Sequence, residues 1–211
     1  AREHCRLAIC GRDEKDLNSV CKQIESTGAD KPFSKKFDLI DESLILEYYK
    51  EACRYFGPPD ILINNAGYNS RKAELWKVDT AEFDCMLAIN LRAPFILMRE
   101  SFKDMKAMGS GHVVNILSSI CYVDMETMGV YTAAKRGLQA LTNVFRKEVR
   151  PFNIRVTSIY PGGVDTHFRK AERPDYMRPE SVAEAVFTAL TLPEDLVVHD
   201  MTFRPMVETN F

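Results

Sequence analysis

Tyr131 and Lys135 are the two residues whose types and spacing could do acid–base chemistry. They stand four residues apart in a stretch with a helical pattern, so both side chains lie on one face of a helix. A free tyrosine has a pKa of about 10 and is a poor acid at neutral pH. A positive charge about 4 Å away, at an effective dielectric of about 20, supplies roughly 4 kcal/mol, enough to bring that pKa to about 7. The pair predicts a proton-transfer site, although the same spacing also occurs by chance in many helices.

Two further motifs follow predicted strands directly. Ser118 ends an apolar strand thirteen residues before Tyr131, and its hydroxyl could hydrogen-bond a carbonyl oxygen that Tyr131 protonates. The adjacent Ser119 is interpreted as a cap of the loop, since the spacing favours Ser118. Residues 64–67, Asn-Asn-Ala-Gly, end another strand, and the small residues Ala66 and Gly67 would let a ligand approach the backbone.

The elements that must position these residues alternate between strand and helix. Strands are predicted at 6–10, 33–38, 61–64, 112–117, 155–160 and 201–204. Helices are predicted at 13–26, 42–56, 80–108, 131–150 and 180–192, with Asp13 as the first cap and a break near Asn90. Solidly apolar strands in this order indicate an α/β fold with a doubly wound parallel sheet. Ligands of such sheets bind beyond the carboxyl ends of the strands.

In combination, these motifs resemble the short-chain dehydrogenase/reductase family, and they occur in the family's order and spacing. The matching pieces are residues 64–67, Asn90, Ser118, Tyr131 with Lys135, and the segment Pro161-Gly162-Gly163-Val164-Asp165-Thr166. The resemblance covers nearly the whole chain. It implies a single Rossmann-type, NAD(P)-binding domain over residues 1–211, and an oxidoreductase that interconverts a carbonyl and a secondary alcohol by hydride transfer.

The resemblance also implies a role for each matched residue. Tyr131 would be the general acid or base, Lys135 would lower its pKa and bind the nicotinamide ribose, and Ser118 would orient the substrate carbonyl. Asn90 would hold a water that links Lys135 to solvent. The remaining cofactor contacts would come from Asp38 and Leu39 at the adenine, Asn64 and Ala66 at the adenosine ribose, and Pro161, Val164 and Thr166 at the nicotinamide.

Cofactor choice is predicted from the end of the first strand, where the sequence runs Cys10-Gly11-Arg12. Rossmann proteins that use NAD place an acid there for the ribose 2′-hydroxyl, whereas a nearby arginine suits a 2′-phosphate. Arg12 can donate a bidentate pair to phosphate, while Asp13 is interpreted as the helix cap. The expected cofactor is therefore NADP(H).

The sequence departs from the family at its start. Family members begin with a strand, a glycine-rich loop and a helix, and residues 1–5 resemble only the tail of that helix. An N-terminally truncated member is expected, in which the missing strand would lie between the strands at 7–10 and 61–64. Residues 1–211 alone are expected to bind NADPH poorly or not at all and to be unstable in isolation. The alternative is a catalytically inactive scaffold of this family that acts as a partner protein.

Composition fits an ordinary soluble globular domain. The 211 residues are 45% hydrophobic and 27% charged, with a net charge of −2. Neither a nucleic-acid partner nor a membrane segment is expected, and no metal-ligand spacing occurs among the four histidines. The six cysteines show no C-x-x-C pair and are interpreted as reduced thiols. The expected location is cytoplasmic.

Substrate and partner are only broadly indicated. A small carbonyl or alcohol is expected, and Tyr122, Val123, Met125 and Met128 suggest either an apolar pocket wall or ordinary packing. The short segment 166–178 carries several basic residues, which would favour an acidic substrate or form a solvated loop. A homodimer or homotetramer through the helices at 91–108 and 131–150 is expected from the family resemblance.

Overall fold

A computed structural model describes residues 5–70, 72–166, 168, 173–193 and 195–209. The chain forms two compact units, Ala1–Pro59 and Asp60–Phe211. All described strand pairs are parallel. The expected α/β, Rossmann-type architecture is confirmed.

The first unit contains two strand–helix pairs: β1 (Ala8–Gly11), α1 (Glu14–Ser26), β2 (Phe33–Lys36) and α2 (Glu42–Phe56). Strands β1 and β2 form a two-stranded parallel sheet. Both helices begin at an aspartate that caps free backbone N–H groups, as predicted for α1 at Asp13. Among the described residues of this unit, the buried apolar side chains include Ile24, Phe37, Ile45 and Tyr48.

The second unit is built on four parallel strands in the order β3-β4-β5-β6. Their bounds are β3 Ile61–Asn64, β4 Gly111–Ile116, β5 Ile154–Pro161 and β6 Asp200–Phe203. Three long helices pack on them: α4 (Ala93–Met108) on β3 and β4, and α5 (Gly129–Val149) and α6 (Pro179–Leu190) on β5. A buried cluster joins this sheet to α4 and α5: Met98, Met105, Val113, Leu117, Cys121, Leu138, Val149, Ile154, Val156 and Tyr160.

The predicted break near Asn90 is a π-helical turn and not an interruption. Helix α3 (Thr80–Leu87) runs into the π turn Ala88–Arg92, which continues directly into α4. Such turns carry one extra residue and occur frequently at functional sites. Short 3₁₀ turns lie at Leu75–Lys77, Ser119–Cys121 and Arg150–Phe152.

No helix within the described residues is long and apolar enough to cross a membrane.

Candidate active site

Lys135 is a buried cation in the second turn of α5. Its side chain is only 3% exposed, and its Nζ donates to the carbonyl oxygen of Ile116, the last residue of β4, at 2.9 Å. Removal from water disfavours the ammonium form and lowers the pKa of Lys135 to about 8, an effect that the nearby Cys121 thiol partly opposes. A charged group with this burial and a perturbed pKa marks a candidate functional site.

Tyr131 lies one helical turn before Lys135 and also points inward. It is 8% exposed and packs in a cluster with Met86, Ile120 and Val130. The Nζ of Lys135 is 5.9 Å from the centre of the Tyr131 ring, so the two predicted residues do converge on one face of α5. The ring of Phe168 lies 6.1 Å from that of Tyr131, centre to centre.

Ser118 follows β4 directly and starts the 3₁₀ turn Ser119–Cys121. Its Oγ accepts a hydrogen bond from the backbone N–H of Ile120 at 3.2 Å, and the residue is half-buried. Because Lys135 is bonded to Ile116, two residues earlier, Ser118 and Lys135 lie at the same end of β4. The adjacent Ser119 is buried inside the turn, and the residue that caps it is Ser118, not Ser119 as expected.

Asn90 occupies the π turn and is fully buried. Its Nδ2 donates to the carbonyl oxygens of Tyr68 at 2.7 Å and Met86 at 2.9 Å, while its Oδ1 accepts from the N–H of Tyr68 at 3.1 Å. The side chain therefore fixes the backbone just after the Asn-Asn-Ala-Gly motif. Its predicted role in holding a water stays a prediction.

Gly67, the last residue of that motif, is brought next to the predicted catalytic groups. A β-carbon added there would lie 3.4 Å from Asn90 Oδ1 and 3.7 Å from Lys135 Nζ. A side chain at this position would therefore lie in contact with the lysine ammonium, and glycine leaves that volume to the backbone. Ala66, the preceding residue, is exposed.

Asn64 is buried, and its side chain begins a chain of hydrogen bonds that the sequence did not reveal. Its Nδ2 donates to Asn115 Oδ1 at 2.8 Å, Asn115 Nδ2 donates to Thr142 Oγ1 at 2.8 Å, and that hydroxyl donates to the Leu138 carbonyl at 2.6 Å. These bonds join β3, β4 and α5. The only sequence signal for Asn115 was a polar residue inside an apolar strand. With the Asn64 amide bonded to Asn115, contact with a ribose is a prediction for the backbone of this motif.

The segment 161–166 leaves the carboxyl end of β5, at the same edge of the sheet as Ser118. Pro161 is buried and pairs with Phe203 of β6. Val164 forms a bridge with Met177, and the Asp165 N–H donates to the Met177 carbonyl at 2.9 Å. Thr166 is exposed.

In the first unit, the predicted cofactor residues follow the two strands. Arg12 comes directly after β1 and is exposed, while Asp13 caps α1 by accepting from the Asp16 N–H at 2.9 Å. Asp38 and Leu39 follow β2, and Asp38 Oδ1 accepts from the Ile40 N–H at 3.1 Å. Since β1 and β2 are parallel and in register, Arg12 and Asp38 lie at one edge of this sheet.

The predicted substrate wall divides into two kinds of residue. Val123 and Met128 pack against the cluster around Tyr131, as expected of ordinary packing. Tyr122 is 43% exposed and stacks on the buried Tyr160 ring at 4.9 Å, and Met125 is 38% exposed. Of the basic residues in segment 166–178, the described Arg173 and Arg178 are exposed; His167, Arg169 and Lys170 lie outside the described residues.

The arrangement in the second unit can therefore carry out proton transfer. A tyrosine hydroxyl, a serine hydroxyl and a buried ammonium group belong to one sheet edge and the adjoining helix. The described part of the chain contains no group of histidine, cysteine, aspartate and glutamate side chains that could hold a metal ion. The chemistry available to these residues is general acid–base catalysis.

Comparisons with known proteins agree with this geometry. A family model for short chain dehydrogenases matches residues 1–177. An uncharacterized oxidoreductase of Staphylococcus aureus (strain USA300) is 31% identical over 208 residues, which are 97% of this chain and 88% of that protein.

Two solved structures are similar in fold. The alcohol dehydrogenase of the archaeon Thermococcus sibiricus, complexed with 5-hydroxy-NADP, gives a TM-score of 0.89 at 25% identity. A metagenomic short-chain oxidoreductase in complex with NADP gives 0.87 at 26% identity. Each comparison covers 98% of this chain and 88% of the other.

Proposed function

The chain belongs to the short-chain dehydrogenase/reductase family of oxidoreductases, and on that premise we propose that it interconverts a small carbonyl compound and the corresponding secondary alcohol, with NADP(H) as cofactor. The observation that carries the proposal is the buried Lys135 on the same face of α5 as Tyr131. A cation in such a place stabilises a developing phenolate far more strongly than it would in water.

The proposed roles follow from what each group can donate. During reduction, the Tyr131 hydroxyl gives its proton to the carbonyl oxygen of the substrate, and during oxidation it takes that proton back. The Ser118 hydroxyl hydrogen-bonds the same oxygen and orients it. The ammonium of Lys135 lowers the pKa of Tyr131 through its charge. The nicotinamide, when bound, supplies or accepts the hydride.

The residues around Lys135 fit a nicotinamide cofactor. A lysine ammonium has three N–H donors, of which Ile116 accepts one, so two can reach vicinal hydroxyls such as those of a ribose. The absence of a side chain at Gly67, beside Lys135 Nζ, suits close approach of a ligand to the backbone. We assign the ribose of the nicotinamide half to Lys135 and Tyr131, and its ring to Pro161, Val164 and Thr166. Asn64 and Ala66 are proposed to contact the adenosine ribose.

We propose that Arg12 selects NADP(H) over NAD(H), with Asp38 and Leu39 as adenine contacts. Arg12 is an exposed residue at the end of β1, and a guanidinium can donate a bidentate pair to a phosphate, whereas Asp13 is the cap of α1. That two solved structures similar to this chain hold NADP or 5-hydroxy-NADP supports this choice.

We also propose that the protein forms a homodimer or homotetramer through α4 and α5. Large apolar side chains on these helices are exposed: Phe95 by 43%, Leu141 by 38% and Val144 by 56%. Exposed apolar groups on neighbouring helices are typical of surfaces buried between subunits. Sedimentation equilibrium at micromolar concentration is expected to give two or four times the chain mass, and a monomer mass would contradict the proposal.

Replacement of the tyrosine tests the proposed function. In a full-length version of the protein, Tyr131→Phe removes only the hydroxyl, so NADPH binding should persist while turnover of small ketones falls by roughly 10²–10⁴-fold. Turnover is followed by nicotinamide absorbance, and NADPH binding by fluorescence titration.

The matched control is Tyr55→Phe, which makes the same change at an exposed ring in α2 and should leave turnover unchanged. Turnover of Tyr131→Phe within about tenfold of wild type would refute the assignment. A wild-type protein that consumes no NADPH with any of these carbonyls would favour a non-catalytic partner protein instead.

A further inference from the structure

The segment after β6 contacts the loop that leaves β5. The Gly162 N–H donates to the Phe203 carbonyl at 2.9 Å, which extends the pairing of β5 and β6 by one bond. Beyond Phe203 the chain turns, and the Glu208 N–H donates to the Pro205 carbonyl at 3.1 Å. This turn brings Arg204 and Glu208 to the backbone of Gly162 and Gly163.

Both oxygens of the Glu208 carboxylate are engaged there. Oε1 accepts from the Gly163 N–H at 3.1 Å, and Oε2 accepts from Arg204 Nε at 3.0 Å. The side chains of Arg204 and Glu208 are only 11% and 16% exposed. A charge-assisted hydrogen bond in such a place is stronger than one between neutral groups, and water competes less for it.

The loop is also held from its other side. Met177 donates its N–H to the Gly163 carbonyl at 3.2 Å, and the Tyr176 ring packs directly over Gly163. A β-carbon added at Gly162 would lie 2.5 Å from Glu208 Oε2, so the carboxylate rests against the backbone itself. The chain at 162–163 is thus clamped between Arg204 and Glu208 on one side and Tyr176 and Met177 on the other.

We propose that Arg204 and Glu208 are positioning residues for the nicotinamide ring; this inference rests on the proposed function. Val164 directly follows Gly163, and Val164, Pro161 and Thr166 are the residues proposed to contact the nicotinamide ring. Glu208 fixes the Gly163 N–H, and Arg204 holds the Glu208 carboxylate in place. Neither side chain is proposed to touch the reacting atoms.

The clamp should matter for the hydride-transfer step more than for cofactor affinity. Hydride transfer requires the reacting atoms about 3–3.5 Å apart, and a displacement of about 1 Å can lower the rate by 10²-fold. Affinity for NADPH, in contrast, is spread over the whole dinucleotide. A loosened loop should therefore lower kcat and release the nicotinamide ring while most of the affinity remains.

Three variants of this segment test the inference. Glu208→Ala removes both contacts of the carboxylate. Glu208→Gln keeps an oxygen for the Gly163 N–H but removes the ion pair with Arg204. Met206→Ala is the matched control, because Met206 lies between the two residues and is 97% exposed.

The readouts, in a full-length version of the protein, are NADPH affinity, the fluorescence lifetime of the bound nicotinamide, and kcat with a panel of small ketones, each per folded molecule. For Glu208→Ala we expect kcat to fall by about tenfold or more, with the NADPH dissociation constant within about threefold of wild type. The bound-state lifetime should shorten toward that of free NADPH. For Glu208→Gln, kcat and the bound-state lifetime should lie between those of wild type and Glu208→Ala. Both values for Met206→Ala should match wild type.

Two results would overturn the inference while the proposed function stands. In the first, wild type is active but Glu208→Ala keeps its lifetime and kcat per folded molecule. In the second, kcat and affinity fall together by one factor and Glu208→Gln gives no recovery, as expected of a purely structural contact. Failure of a full-length version of the wild-type protein to bind NADPH would refute the proposed function and this inference with it.

Discussion

Lys135 in the second unit and Arg12 in the first are the two cations proposed to act on the cofactor, and they stand in opposite surroundings. Lys135 is 3% exposed and bonded to a backbone carbonyl at the end of a strand. Arg12 is exposed beyond the end of β1. A charge at the surface is screened by water and salt, whereas a buried charge acts strongly on whatever is beside it. If the proposed roles hold, catalysis and cofactor choice use different kinds of positive charge, one buried and one exposed.

The burial of Lys135 comes at a cost to stability. Its pKa of about 8 lies below the ordinary value of 10.5, so the folded state binds the proton less tightly than the unfolded chain does. The stabilisation present at alkaline pH is lost as the pH falls from 10.5 toward 8, and below pH 8 the full cost of a buried ammonium is felt. A residue that costs stability at neutral pH is expected to be retained for function.

Lys135→Met, which removes the buried cation, is the change with the largest expected effect. Turnover should fall by roughly 10²–10⁴-fold, because Tyr131 loses the charge that lowers its pKa. Stability at pH 7 should rise, by at most about 3 kcal/mol, because a buried charge is replaced by an apolar side chain of similar length. Turnover assays and denaturant unfolding measure the two effects.

Lys147→Met is the control for this variant, since Lys147 is exposed on the same helix. Lys147→Met should leave both turnover and stability at pH 7 close to their wild-type values. If Lys135→Met kept wild-type turnover, the contrast between the two cations would have no catalytic meaning.

Arg12→Ala removes the exposed cation and should have an intermediate effect. A charge-assisted contact with a phosphate contributes about 1.5–3 kcal/mol, so NADPH binding should weaken roughly 10- to 150-fold while NADH binding hardly changes. Titration of both cofactors measures this. Arg54→Ala, at an exposed position on α2 of the same unit, serves as the control. Equal losses for NADPH and NADH would show that Arg12 does not recognise the 2′-phosphate.

Substitution of His112 has the smallest expected effect: it should alter the pH dependence of stability without altering turnover, because His112 is buried away from the proposed active site. It lies near the start of β4, at the opposite end of the strand from Ser118, and is 2% exposed. Thr157 Oγ1 donates to the Val198 carbonyl, so the His112 Nε2–H donates to Thr157 at 2.8 Å and Nδ1 is left to take up a proton. Burial, reinforced by the positive charge of Arg155, lowers the pKa of His112 to about 4.

The sign of the pH dependence follows from that shift. Between about pH 6.5 and 4 the unfolded chain binds a proton that folded His112 does not, so stability falls as the pH falls through this window. At about pH 5.5 the loss should be roughly 1.4 kcal/mol, a tenfold change in the unfolding equilibrium. Urea unfolding between pH 8 and 5 measures it.

His112→Asn should remove this slope, whereas His199→Asn, at an exposed histidine, should not. A slope that survives in His112→Asn would assign the effect to another group. Turnover at pH 7 should be unchanged in both variants, in contrast to Lys135→Met.

Local signals in the sequence predicted most of the elements. The helix at 42–56 and the strand at 61–64 were predicted with the bounds the structure has, because an amphipathic period ends at Gly57-Pro58-Pro59 and an apolar run ends at Asn64. The convergence of Tyr131 and Lys135 was predicted as well, since four residues on a helix fix their relation.

The contacts that the sequence could not give join residues far apart in the chain. Asn64 and Asn115 are 51 positions apart, and Gly163 and Glu208 are 45 apart. No periodicity or spacing links such pairs, because their proximity is created only when the parallel strands align. Asn115 and Glu208 were therefore absent from the predicted site, and the bond from Asn64 to Asn115 could not be foreseen.

The π turn at Ala88–Arg92 also fixes the rotational phase between α3 and α4. An α-helix advances about 100° per residue, so deletion of one residue in this turn would rotate one of the two helices by about that angle relative to the other. Met86 on one side and Ile96 on the other are both buried, so neither helix can turn freely. In genetic terms, this stretch should accept no single-codon deletion, and natural length variation among its relatives should fall outside it.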